Sequence, residues 1–239
     1  MSVKQTLKQL FFPDGIKCIF CDNEIRSENR YSVCDNCSPE FNVQYCERCG
    51  KAIKNAALYC HDCKEGAIYS FEQARAPFVY GDSVSSAVYS LKYGNGRHLA
   101  PFMAEYMADS YYETDWRADL ITFVPLSPKR FKERGYNQAE CLAKALSDIL
   151  RIECKDTLIR DDIKGNLAKM NREERAKAVL GTVHFGDKAV IKGKRIILVD
   201  DVMTTSATAN ECAKALKRAK ADKVFVLTFA TSRVKPLLY

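Results

Sequence analysis

Two textures of apolar and polar positions divide the chain. From about residue 67 onward the pattern alternates between strand and helix. Ala76 to Tyr80 predicts a strand, followed by a helix with Val84, Ala87, Val88 and Leu91 on one face, and by a second carrying Leu99, Phe102, Met103, Tyr106 and Met107 at the same spacing. Leu120 to Leu126 is a short apolar run that closes on proline, and Leu142, Ala145, Leu146, Ile149 and Leu150 mark another amphipathic helix. Arg195 to Val202 is a continuous apolar run broken by two aspartates, followed by a helix with Ala209, Cys212, Ala213 and Leu216 inward, and by a strand from Lys223 to Ala230. Strands apolar on both faces, joined by helical crossovers, predict an α/β domain with a parallel sheet flanked by helices.

The stretch before residue 67 has few large apolar residues and no such periodicity. Eight of the eleven cysteines lie there, in four CxxC pairs: Cys18/Cys21, Cys34/Cys37, Cys46/Cys49 and Cys60/Cys63. A tight CxxC turn aims two soft thiolates at one ion, which suits tetrahedral zinc. The pairs group most simply as two sequential four-cysteine sites, although an interleaved pairing fits the same spacing. A disulfide scaffold and an iron–sulfur centre are the competing uses of the pattern. Metal binding would then supply most of the folding free energy of this stretch, roughly 10–16 kcal/mol per structural site. All-cysteine sites leave no open coordination position, so two structural zinc ions are expected. The boundary predicts two domains, a Cys-rich double zinc ribbon over 1–66 and an α/β domain over 67–239.

Length and composition agree with this division: 239 residues, 47% hydrophobic, can bury one substantial core and a small module. No long apolar run with a small-residue cleavage site opens the chain, and none is long enough to span a membrane. Cysteine-rich and without an export signal, the chain is expected in the reducing cytoplasm. Its net charge of +7 arises entirely after residue 66, because the cysteine-rich stretch is balanced. Such an excess favours phosphate-bearing ligands, whether a small phosphorylated sugar or a nucleic acid.

Candidate chemistry centres on Asp200 and Asp201, at the carboxyl end of a predicted parallel strand, where ligands of open α/β sheets sit. Thr204, Thr205, Ser206, Ala207 and Thr208 follow as a turn of small and hydroxyl-bearing residues that enters a helix. Unpaired amides and partial positive charge at a helix start cradle phosphate. Acids for sugar hydroxyls placed directly before donors for a phosphate describe a site for a phosphorylated ribose. The plainer alternative is a solvated strand end with an ordinary helix cap.

Ile196 to Thr208 resembles the signature with which type I phosphoribosyltransferases bind 5-phosphoribosyl-1-pyrophosphate (PRPP). The segment from Val124 to Gln138 (VPLSPKRFKERGYNQ) is similar to one that distinguishes the ComF family within that superfamily, and four CxxC pairs ahead of the transferase domain match it too. The resemblance implies a type I phosphoribosyltransferase-like fold. It also implies a bacterial competence protein that handles incoming single-stranded DNA, with an acceptor it does not specify. By this resemblance Asp200 and Asp201 hold the ribose hydroxyls, Thr204 to Thr208 hold the 5-phosphate, and magnesium bridges ribose and pyrophosphate. Lys129, Arg130 and Arg134 are the cations for pyrophosphate or for nucleic-acid phosphate. Tyr136 is placed to stack on a base, with Asn137 or Gln138 bonding to it; a core aromatic and a helix cap are the plainer alternatives for Tyr136 and Asn137.

Two departures from the family pattern stand out. Ser206 replaces the usual glycine, which strains the turn if it requires positive φ. Arg160 to Thr182 corresponds to the family's mobile loop, where the usual glutamine near Leu167 is missing and Met170 replaces leucine, while Arg175 and Gly181 are kept. The loop carries Lys164, Lys169, Arg172, Arg175 and Lys177 for closure over a polyanion. The rival expectation is a non-catalytic adaptor that grips single-stranded DNA with the basic domain and docks a helicase-like partner through the zinc module. A third reading makes the zinc knuckles themselves the nucleic-acid reader, through Arg48, Lys51 and Lys54.

Overall fold

The structure is a computed structural model, and it describes residues 17–25, 32–54, 57–94, 96–162 and 180–234. Its centre is a five-stranded parallel sheet. Strands β1 (Gln73–Arg75) and β2 (Phe78–Val79) lie on one side of β7 (Lys223–Thr231), followed by β6 (Arg195–Met203) and β3 (Leu120–Phe123). Gln73 pairs with Phe225 and Phe78 with Ala230, so β1 and β2 keep one register and form a single edge strand interrupted at Ala76 and Pro77. Proline has no N–H to give the ladder, which explains both the break and its place at an edge. The strand predicted from Ala76 to Tyr80 is thus the second half of this broken edge.

Helix α1 (His61–Lys64) lies within the zinc module. Helices α2 (Asp82–Tyr93) and α3 (Ala100–Tyr112) join β2 to β3, and α4 (Pro128–Arg134) and α5 (Gln138–Leu150) follow β3. A short helix α6 (Lys188–Ile191) precedes β6, and α7 (Ala207–Arg218) joins β6 to β7. Helices α3 and α5 pack on each other against the sheet, while α7 packs on β6, β7 and a small antiparallel hairpin, β4 (Leu158–Arg160) with β5 (Val183–Phe185). Right-handed crossovers in opposite directions along the sheet put α3 and α5 on one face and α7 on the other. The chain therefore leaves β3 toward one face and β6 toward the other. That divergence opens a crevice at their carboxyl ends, the switch point at which open α/β sheets bind ligands.

The zinc module closes the β1–β2 edge. Ala74 donates its amide to the Arg48 carbonyl at 3.1 Å, Val79 donates to Glu40 at 2.9 Å and Asn42 to Pro77 at 2.8 Å, so the exposed rim of the sheet is paired. Cys18, Ile19 and Phe20 join the main core, where Phe20 meets Phe78 edge-on with centroids 5.5 Å apart. Opposite, the rim of β3 is paired by Glu153 and Lys155 through Ile121. No helix among the described residues is long and apolar enough to cross a membrane.

Candidate functional site

The cysteines gather into two clusters, Cys18, Cys21, Cys34 and Cys37, and Cys46, Cys49, Cys60 and Cys63, each with its ligand atoms within 4.8 Å of one another. The pairing is sequential, not interleaved. Each knuckle closes on the first carbonyl of its pair, as when Gly50 donates to Cys46 at 2.8 Å and Asp22 donates to Cys18 at 2.9 Å. Neighbouring sulfurs stand 3.5 Å apart for Cys21 and Cys34 and 3.7 Å apart for Cys49 and Cys60. A tetrahedron with Zn–S bonds of 2.3 Å has edges of about 3.8 Å, so the donor set fits two structural zinc ions. The second cluster is the better shielded, with Cys46, Cys49 and Cys60 buried, whereas Cys21 of the first is exposed. Gly50 has φ +67°, and a Cβ there would lie 2.4 Å from the Ala74 carbonyl oxygen, so this knuckle presses directly on β1.

At the crevice, Asp200 and Asp201 are the last acids of β6 before the turn. Asp201 is buried, and its Oδ2 lies 2.5 Å from Lys92 Nζ, at the end of α2. Asp200 accepts a 2.9 Å hydrogen bond from the Asp201 amide. Burial, then the adjacent Asp201 charge, raises the Asp200 carboxyl well above the usual carboxylate range. Burial disfavours the Lys92 ammonium, but the charge and hydrogen bond of Asp201 together outweigh it and hold the lysine above its ordinary value.

Past the acids the chain turns at Thr204 and Thr205, and Ser206 caps α7 with φ 64° and ψ 0°. The turn thus does require positive φ, and serine occupies it with a buried Oγ that has no partner among the described residues. Ala207 donates its amide to Thr205 Oγ1 at a long 3.4 Å. Among the described residues the amides of Thr205, Ser206, Thr208 and Ala209 have no protein acceptor, the condition a phosphate cradle needs. A cavity of about 240 Å³ opens beside them, walled by Tyr69, Leu180, Asn210 and Glu211.

The segment after β3 delivers its residues unequally. Lys129 and Arg130 are exposed on α4, and the Lys129 amide is taken by Asp162 at 3.0 Å. Arg134 donates to Gln138 Oε1, while Gln138 Nε2 reaches Asp201 Oδ1 at 3.5 Å, so these two residues belong to the crevice. Tyr136 is corrected to the plainer role: its ring is buried under the Arg97 guanidinium, 4.6 Å from its centroid, and its hydroxyl donates to the Leu91 carbonyl. Asn137 is likewise structural, accepting from Ala139 at 3.0 Å as the cap of α5 and donating to Val124 at 3.0 Å. Within the zinc module, Lys51 is buried and faces Asp62 at 3.7 Å, and Arg48 donates to the Tyr69 carbonyl, which withdraws both from a nucleic-acid-reading role. Of the residues that the resemblance matches to a closing loop, Lys164, Leu167, Lys169, Met170, Arg172, Arg175 and Lys177 lie outside the described residues. Gly181 has φ +71° and donates to Glu211 at 3.1 Å.

Two residues of the crevice were not singled out from the sequence. Lys92 is one. The other is Arg160, at the end of β4, whose guanidinium is depressed by burial and feels the charge of Asp200.

Two four-cysteine sites ahead of a parallel sheet flanked by helices, with an acidic strand end and a helix cap whose amides have no acceptor among the described residues, define the class: a double zinc ribbon joined to an α/β domain built on a parallel sheet. The double zinc ribbon domain family matches residues 7–64. Over nearly its full length the chain is similar to the competence protein ComFC of Streptococcus pneumoniae, 28% identical over 87% of this chain and 97% of the relative. It is also similar to the DNA utilization protein YhgH of Escherichia coli, 23% identical over 82% of this chain and 88% of that protein. The similarity to these competence and DNA utilization proteins thus extends well beyond the zinc ribbon. Among solved structures it is similar to a purine phosphoribosyltransferase from Pyrococcus horikoshii, 21% identical, covering 59% of this chain and 78% of that one with a TM-score of 0.32.

Proposed function

We propose that this protein binds PRPP at the crevice between β3 and β6 and transfers its phosphoribose in a magnesium-dependent reaction linked to DNA uptake. The observation that carries the reading is the juxtaposition at the end of β6 of Asp200 and Asp201 with the amides of Thr205, Ser206 and Thr208, which have no protein acceptor among the described residues. The amides and hydroxyls from Thr204 to Thr208 hold the 5-phosphate, and Asp200 and Asp201 accept hydrogen bonds from the ribose hydroxyls. Magnesium, when bound with PRPP, neutralises charge on the departing pyrophosphate, to which Lys129, Arg130 and Arg134 add theirs. The protein's share is positioning and electrostatics, with no covalent nucleophile. The names of the competence and DNA utilization relatives support the link to incoming DNA.

Calorimetry with PRPP and magnesium on the zinc-loaded chain is the direct test. Saturable heat is expected, falling at least tenfold in affinity in Asp200→Asn; no heat above background from the intact protein would overturn the reading.

A second reading, a non-catalytic adaptor for single-stranded DNA that docks a helicase-like partner, is favoured by the exposure of Lys129 and Arg130 to solvent. Asp200→Asn separates the two. Transformation lost with DNA binding intact supports the PRPP site, and unaffected transformation supports the adaptor.

A further inference from the structure

Helix α2 buries one stripe, Val84, Ala87, Val88 and Leu91, yet carries two tyrosines outside it. Tyr89 and Tyr93 are 65% and 63% exposed, and their ring centroids are 5.0 Å apart with planes tilted by 46°. The Arg134 guanidinium lies 5.0 Å from the Tyr93 centroid. Large aromatics set side by side in solvent are not needed to hold the helix down, since the opposite stripe does that.

Their place in the molecule gives them a use. Lys92, between them in sequence, reaches Asp201, and Arg134 passes from the Tyr93 ring to Gln138, which itself faces Asp201. The aromatic pair is therefore the outer end of a contact chain whose inner end is the acidic pair. Next to it, α4 turns Lys129, Arg130 and Lys132 to solvent, with Glu133 as the one acid in the helix. Exposed rings interleaved with cations are what unpaired bases and their phosphates require: ring faces stack with bases, and guanidinium and ammonium groups track the backbone.

We propose that Tyr89, Tyr93 and Arg134 form a stacking platform for single-stranded nucleic acid, which presents successive unpaired bases beside the acidic pair. A free base or nucleotide is the poorer occupant, because rings this exposed cannot enclose a small ligand as pockets do. The cations of α4 favour a polyanion long enough to reach them. The platform supplies the acceptor side of the PRPP reading, on which its meaning for catalysis rests, but strand binding itself is measurable without PRPP.

The test uses the full zinc-loaded chain and a fluorescent oligothymidylate of about 20 nucleotides, a length that spans such a groove. Fluorescence anisotropy is expected to show affinity falling roughly tenfold or more in Tyr89→Ala/Tyr93→Ala, each ring being worth that order as a stacking partner. Circular dichroism and thermal unfolding should stay unchanged, since both side chains lie outside the core. Tyr93→Trp should retain affinity, with its fluorescence quenched as the strand binds. An unchanged affinity in the double alanine variant, or an unquenched tryptophan on a bound strand, overturns the proposal. So does competition by duplex or free nucleotide as strong as by the single strand. Calorimetry with PRPP on the same double variant keeps the two readings apart: loss of strand binding with PRPP heat retained supports both. Tyrosine-dependent strand binding in a chain that never binds PRPP leaves the platform standing and removes the transferase.

Discussion

Lys92 Nζ and Asp201 Oδ2 stand 2.5 Å apart, joining the last turn of α2 to the carboxyl end of β6. This ion pair lets two adjacent acids occupy a crevice that would otherwise be short of counter-charge. Asp201 is almost fully buried and Lys92 a quarter exposed, so breaking the pair leaves a carboxylate that water reaches poorly. Lys92→Met should lower unfolding free energy by about 2 kcal/mol at neutral pH, below the full range for buried pairs because the lysine keeps some solvent. The raised lysine pKa sets the pH window: its contribution is complete below the ordinary value of 10.5 and is lost as pH climbs through the higher folded value. Urea denaturation across the neutral range should show a constant difference.

Asp200 has the opposite character. Its carboxyl is raised by burial and by Asp201, so the folded state holds its proton more tightly than the unfolded chain does. Below the unfolded carboxylate pKa this group costs nothing. As pH rises through the folded value, ionising it in place withdraws stability. Asp200→Asn retains an acceptor for the Asp201 amide and removes the charge. The variant should match wild type in acid and exceed it by about 1 kcal/mol or more near pH 8, read from urea midpoints at the two pH values. A variant less stable at pH 8 than at pH 5, relative to wild type, would contradict this.

Ser206 stores strain in the phosphate turn. A non-glycine residue at φ 64° carries about 1–2 kcal/mol of steric cost, and its buried hydroxyl adds an unsatisfied group. Ser206→Gly should raise stability by about 1 kcal/mol, net of the extra entropy of glycine in the unfolded chain, and tighten PRPP binding in calorimetry. Ser206→Val should do the reverse.

Much of this architecture could be read from the chain. The runs at Leu120, Arg195 and Lys223 are legible because central parallel strands are apolar on both faces, and the structure extends the last two only to Met203 and Thr231. The acids and the hydroxyl turn were legible because little else explains two carboxylates at a buried strand end. The hairpin of β4 and β5 was not, since each strand has only three residues and Ile159 faces solvent, leaving no period to detect. Lys92 was hidden because a lysine in the last turn of an amphipathic helix reads as an ordinary surface residue; its partner lies 109 positions away in sequence. Tyr136 misled for the converse reason, as an aromatic beside a glycine turn reads as exposed until the Leu91 carbonyl is found at its hydroxyl. Tyr89 and Tyr93 did leave a signal, two aromatics four residues apart and off the apolar stripe.

Gly50 tests how the zinc module meets the sheet. Alanine there would need an unfavourable positive φ and would place its Cβ 2.4 Å from the Ala74 carbonyl oxygen, which is backbone and cannot swing aside. Gly50→Ala should cost about 3 kcal/mol through the combined strain and overlap. Two zinc ions per chain should remain by native mass spectrometry, since the cysteines are untouched, while thermal unfolding shifts downward.

The two metal sites should part company under chelation. Cys21 of the first cluster is exposed, whereas Cys46, Cys49 and Cys60 of the second are buried beneath the contacts to β1. A chelator should therefore remove one zinc quickly and the other slowly, giving two phases in a colorimetric release assay. Loss of the second has the larger structural consequence, because Arg48 of its knuckle is what accepts from Ala74 on the edge strand. Without it the amides of β1 face solvent and can pair with another chain. Light scattering should accordingly stay flat through the fast phase and rise with the slow one, and Cys46→Ser should aggregate more readily than Cys21→Ser. Scattering that tracks the fast phase would assign the protection of the sheet edge to the first site instead.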